Sequence, residues 1–149
     1  MTAVELTASQ VGLPLHWRIG ALAKDLGSPN YVQTSHAYVG LGARPLSPVH
    51  LRGVRTNGDL VLSWIRRTRR GGDTWTSPEV PLAEDTERYE IDILDGATVK
   101  RTLTAATTSV AYSSAMQLTD FATTQSSISI KIYQISAAWG RGTPASAIV

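Results

Sequence analysis

The 149 residues contain no cysteine and a single phenylalanine, Phe121. The first absence excludes disulfides and thiolate metal sites. Charge is scarce too: 17% of residues are charged, low for a cytosolic enzyme. The net charge of +2 leaves no strong field of one sign, and Arg66, Arg67, Arg69 and Arg70 supply that excess almost alone. No apolar run approaches the roughly 20 residues that span a bilayer. Met1-Thr2-Ala3-Val4-Glu5 lacks the basic start and apolar core of a signal peptide, so synthesis in the cytoplasm without a cleaved leader is expected. His16, His36 and His50 have no partners at metal-ligand spacing, and no metal site or cofactor is expected. Gly-x-Ser-x-Gly is missing, Gly40-Leu41-Gly42 lacks the lysine of a phosphate loop, and the second glycine of Arg70-Gly71-Gly72-Asp73 breaks an adhesion tripeptide. Enzyme chemistry has no foothold here.

What is present is alternation. Leu60, Leu62 and Trp64 alternate with Val61, Ser63 and Ile65, the period of a strand with one buried face. Asn57-Gly58 before it is a pair that tolerates positive φ at both centres of a hairpin turn, which pairs Leu60–Arg67 with a strand from Val49. Trp64 falls on the apolar face and is expected in the core. Tyr89, Ile91 and Ile93 form a third strand, closed at Asp95-Gly96 and answered by Val99–Leu103. Thr107–Tyr112, the regular Ile128/Ile130/Ile132 alternation and Ala145–Val149 complete seven short strands, with a turn at 140–144 before the last. Hairpin turns at about ten-residue intervals predict an all-β, antiparallel seven-stranded β-sandwich over residues 46–149. No helix is expected after residue 45.

Residues 1–45 lack clean periodicity. Leu13–Gly20 and Tyr31–Val39 read as short strands and Ala21–Leu26 as one helical turn, ended by Gly27-Ser28-Pro29-Asn30. The section is expected to be an extended, partly β N-terminal arm, too small for a core of its own. Pro45-Leu46-Ser47-Pro48 is the joint.

Pro48-Val49-His50-Leu51, Trp64 on the second strand, Tyr89–Ile93 and the run Gln134–Ala145 resemble a fibronectin type III domain. The long insert Thr68–Glu87 and Gln134, where a small apolar residue is commoner, depart from that pattern. Over nearly the whole chain, Leu15-His16-Trp17-Arg18, Tyr38–Leu46, Leu46–Arg52, Asn57–Leu60 and Ser63–Arg69 are similar to a more particular family. This is the C-terminal fibronectin-like region of large baseplate-hub tail-tip proteins of alphaproteobacterial siphophages and gene transfer agents, which carry a glycoside-hydrolase-like barrel earlier in the chain. The matching residues include no catalytic motif. The resemblance implies a virion protein of the distal tail tip. Its partners would be other tail or baseplate proteins in a symmetric, homo-oligomeric assembly, with host-surface polysaccharide as a further contact.

The candidate contact residues follow from chemistry. Arg66, Arg67, Arg69 and Arg70 offer guanidinium forks to an anionic glycan. Their other reading is a solvated strand end balanced by Glu79, Glu84, Asp85 and Glu87. The run is too short, and too little surrounded by basic residues, for nucleic acid. Trp75 in the insert, Tyr112, Tyr133 on the polar face of its strand, and Trp139 with Arg141 near the last turn are candidates for aromatic and charged contact, Trp75 and Tyr133 the better placed of the aromatics. In the arm, Trp17, Tyr31 and Tyr38 are the candidate assembly residues. The leading expectation is a non-enzymatic structural and adhesion module, and the alternative is a carbohydrate-binding module acting through loop aromatics and arginines.

Overall fold

A computed structural model describes residues 5–21, 23–25, 27–73 and 80–149. The chain divides into two compact units, Met1–Gly42 and Ala43–Val149. In the first, β1 (Pro14–Ile19) and β2 (Val32–Ala37) pair antiparallel, from Pro14 opposite Ala37 to Ile19 opposite Val32. Tyr31 closes the connection between them. Its ring lies against Gly20, where an added Cβ would come within 2.6 Å of it, and its hydroxyl donates to the carbonyls of Ala21 and Lys24. The helical turn expected over Ala21–Leu26 is not present among its described residues, which form a turn. No side chain of the two strands is fully buried: Leu15 and Trp17 are half-buried, while the cross-strand partners Ile19 and Val32 are 62% and 66% exposed.

The second unit holds β3 (Val49–Thr56), β4 (Asp59–Ile65), β5 (Tyr89–Asp95), β6 (Thr98–Ala105), β7 (Ser109–Tyr112), β8 (Ser129–Ser136), β9 (Gly140–Arg141) and β10 (Ala145–Ile148). One sheet has the order β3-β4-β7 and the other β10-β8-β5-β6, with the short β9 on β8. All pairings are antiparallel. The result is an all-β, fibronectin type III-like sandwich preceded by a partly β arm. Asn57 and Gly58 both have positive φ, +51° and +89°, which is why this dipeptide makes the β3–β4 turn.

The alternation that defines the strands also makes the core. Leu60, Leu62 and Trp64 of β4 meet Tyr89, Ile91 and Ile93 of β5 and Ile130 and Ile132 of β8. Trp64 and Tyr89 pack edge to face, with centroids 5.0 Å apart. Burial and the neighbouring Glu87 carboxylate push the Tyr89 hydroxyl well above its ordinary pKa.

One bulge interrupts β3. Val49 pairs with Ile65 and Arg52 with Ser63, so His50 and Leu51 together face Trp64. Leu51 packs on the core, whereas His50 is the extra residue, exposed and at φ +53°. For a residue with a Cβ that conformation costs ~1–3 kcal/mol.

A helix corrects the expectation of none after residue 45. α1 (Ser114–Phe121) carries the chain from β7 towards β8. Ser113 caps it, its Oγ accepting from the Met116 N–H, and Asp59 accepts from the Ser114 N–H at 2.7 Å. Its eight residues show little helical periodicity, and left-handed Ala122 ends it where a glycine would have signalled the stop. Its buried residue is Gln117, whose side chain donates to the carbonyls of Gly58 and Tyr112 and accepts from Arg55 and the Gln125 N–H. Beside it, Asp120 receives a bidentate Arg101 at 2.7 and 2.8 Å and the Tyr112 hydroxyl at 2.8 Å. Arg101 holds the Asp120 carboxyl below its ordinary pKa, while burial pushes the Tyr112 hydroxyl up.

Gln117→Ala leaves those groups without their amide and is expected to cost ~2–4 kcal/mol in urea denaturation. Because the Asp120 pKa is lowered on folding, its contribution is full above the ordinary carboxylate value of about 4 and is lost as pH falls through the lowered value. Asp120→Asn should therefore melt lower than the parent chain at neutral pH. The gap between the two should close below about pH 4 in thermal melts, and a constant gap down to strong acid would contradict this assignment.

Candidate functional site

The arginine run leaves β4 and enters the insert, of which residues 68–73 and 80–87 are described. Two ion pairs are nested across its base: Arg66 with Glu87 at 3.4 Å, and Arg69 with Glu84 at 3.0 Å. Arg66 also donates to the Val80 carbonyl, and Glu87 accepts from the Tyr89 hydroxyl. The inner pair is largely out of solvent, with side-chain exposures of 18% for Arg69 and 8% for Glu84. Arg67 turns the other way and grips Ser47, donating to its carbonyl at 2.8 Å and its hydroxyl at 2.6 Å. Arg70 is exposed at the start of the loop. Three of the four arginines are thus spent on fixing the base of the loop and the proline joint, and do not stand as a row of open forks. Trp75 lies outside the described residues.

The second cluster covers the outer face of the four-stranded sheet. Glu90 and Asp92 alternate with Ile91 and Ile93, so they point away from the core. Arg141, brought in by β9, is bidentate to Asp92 at 2.8 and 3.0 Å and donates its Nε to Glu90 at 2.6 Å. Thr102, across from Asp92 on β6, donates to the same carboxylate at 2.7 Å. The Arg141 guanidinium lies 4.4 Å from the centre of the Tyr133 ring. Asp92 is 3% exposed, and its hydrogen bonds raise the Arg141 pKa. Tyr133 and Arg141, both expected as contact residues, are therefore brought together, and the guanidinium covers one face of the ring. Trp139 is half-buried in the turn before β9.

The same turn is tied to the joint. The Gly142 N–H donates to the Gln134 carbonyl and the Thr143 N–H to the Pro45 carbonyl. A Cβ on Gly142 would come within 2.6 Å of that Pro45 oxygen, so only glycine fits this close approach. Gln134, an odd residue for its position, is buried with its side-chain oxygen unpartnered, and lines a small space with Pro45, Arg69 and Glu84.

In the first unit, Trp17 packs edge-on to Tyr38 at 5.7 Å and His36 packs on Tyr38 at 4.7 Å, whereas Tyr31 serves the loop described above. Glu90 and Asp92 were not among the expected site residues. Alternation predicts their orientation, but nothing local announces an arginine 49 residues away. Chemically, the two carboxylates share one guanidinium, and Asp95 sits on a turn beside Lys100 at 3.4 Å. Among the described residues no three His, Asp or Glu side chains are grouped to hold a metal, and no helix is long and apolar enough to cross a membrane.

No family model matches the sequence, and no curated protein does. Among solved structures, the chain is similar to domains d3–d4 of the rat CD45 extracellular region. The TM-score is 0.50 at 10% identity, over 100% of this chain and 69% of that one. The Clostridium perfringens spore cortex lytic enzyme SleM gives 0.47 at 10% identity, over 90% of this chain and 38% of that one. A structure titled FN3tt mut gives 0.44 at 15%, over 71% and 94%. With the three- and four-stranded sheets above, the CD45 likeness places the chain among fibronectin type III-like folds. At that identity it shows the fold alone.

Arg141→Ala is expected to release β9. Hydrogen exchange at the Gly142 amide should rise at least about tenfold, because local opening no longer breaks a charge-assisted clamp. Arg141→Lys keeps the charge without the fork and should restore only part of the protection.

Proposed function

We propose that this chain is a non-enzymatic structural and adhesion module of a phage-like tail tip. The observation that carries the reading is the unsatisfied hairpin of Met1–Gly42. A two-stranded hairpin is marginal alone in water. Here Leu13, Ile19, Val32, Val39 and Leu41 are between 48% and 67% exposed, a surface suited to docking on another protein. The likeness of its sequence to tail-tip proteins supports neighbouring tail or baseplate proteins as those partners, in a symmetric assembly of the virion. The sandwich acts as the rigid scaffold, and its insert, tied at the base by paired charges, is the loop offered to the host surface. Catalysis has no support from the outer-face carboxylates, which Arg141 occupies. Stacking of a sugar on Tyr133 would have to use the ring face that Arg141 leaves open.

The test uses the full chain. Ile19 and Val32 are cross-strand partners, so Ile19→Asp with Val32→Asp places two charges on one spot of the hairpin. The sandwich should melt as in the parent chain, while incorporation into tail particles of the encoding cell, read by immunoblot of purified particles, should drop at least about tenfold. Undiminished incorporation of the double variant would refute docking through the hairpin.

A further inference from the structure

Beyond that reading, and independent of it, we infer that the bulge in β3 builds a carboxylate-binding site for an acidic sugar. The outer face of the three-stranded sheet holds a cavity of about 370 Å³ lined by His50, Arg52, Ser63, Trp64 and Ile65. Arg52 and Ser63 are cross-strand partners, so their side chains share a face, and Ile65 lies two residues further along that face. His50 is added to them by the bulge, which inserts one residue opposite Trp64 and turns the imidazole out of the strand's alternation.

The donors are of one kind. A guanidinium, an imidazole and a hydroxyl line the space, and among the described residues no carboxylate does. That distinguishes Arg52 from Arg66, Arg69, Arg101 and Arg141, each of which is paired with an acid of its own chain. Arg52 supplies the fork for a ligand carboxylate. His50 and Ser63 supply hydrogen bonds to its second oxygen and to ring hydroxyls. Ile65, 56% exposed, gives the apolar edge on which the carbon face of a pyranose rests. The volume lies at the low end of small-ligand sites, enough for a single ring and its carboxylate, and the open sheet face leaves room for a chain of such rings to continue. Strain at His50 is the independent sign. Glycine would take φ +53° without penalty, and backbone strain of this kind collects at binding sites.

The probes are galacturonate, oligogalacturonate, glucose and inorganic phosphate, titrated into the ¹⁵N-labelled full chain and followed by amide shifts. The expected result is saturable shifts confined to His50, Arg52, Ser63 and Ile65 with galacturonate, and none with glucose. Tighter binding of the oligomer than of the monomer assigns the site to polysaccharide; equal binding assigns it to the free acid sugar. Arg52→Ala should weaken binding at least about tenfold. His50→Gly should weaken it as well while raising the melting temperature, because glycine removes both the imidazole that binds and the Cβ that strains the backbone; a purely structural His50 would raise the melting temperature and leave the affinity unchanged. Shifts elsewhere on the sandwich, full affinity in both variants, or phosphate bound as tightly as galacturonate would overturn the assignment.

Discussion

Everything in the sandwich depends on the burial of the isoleucines of β5 and β8 under Leu60, Leu62 and Trp64 of β4. Each fully buried side chain of this size contributes ~1.5–3 kcal/mol, and the inner faces of three strands supply most of the buried set. With a single phenylalanine in the chain, two of the three buried core aromatics, Trp64 and Tyr89, bridge the sheets edge to face. The sheets cannot slip by one residue without moving these side chains into water. That constraint also sets which polar residues face out, and so where every later interaction can be made.

Polar clamps then hold the two ends. At one, Gln117, Asp59 and Asp120 join the β3–β4 turn, the short helix, Tyr112 and the edge strand β6. At the other, the nested Arg66–Glu87 and Arg69–Glu84 pairs, the Arg67–Ser47 grip and the Gly142–Pro45 approach fasten the insert, the joint and the last turn. Partly buried charges of this sort give little net stability, but they specify geometry. The first unit differs in kind: its described residues bury no side chain fully, and Leu13, Ile19, Val32, Val39 and Leu41 stay exposed.

Much of the sandwich was legible because the evidence for it is local. Alternation placed the strands at Leu60–Ile65, Tyr89–Ile93 and Ile128–Tyr133, although the first was expected to run on to Arg67, and Asn57-Gly58 placed a turn by its φ tolerance. The helix was not legible, since eight residues with one buried polar side chain show no apolar stripe. The candidate contacts divided similarly. Tyr133 was placed on the outer face by its alternation with isoleucine. The acids that balance the arginine run could be named from the insert, Glu84 and Glu87 among them, but which arginine meets which acid could not, because the partners arrive from the far side of a loop. His50 gave no local sign at all, because a bulge is a mismatch between two strands and neither strand alone records it.

What the sequence by itself determined is most of the strands, their buried faces and the hairpin turns, because each rests on residues one to three positions apart; β9 was read as part of a turn. What only the tertiary structure decided is which charges meet. Arg141 reaches Asp92 across 49 residues and Arg55 reaches Gln117 across 62, and whether Arg52 keeps an open fork depends on what lies beside it on the finished sheet. The physical reason is range: alternation and turn chemistry act along the chain, whereas pairing and cavity shape exist only after distant strands have closed over a common core.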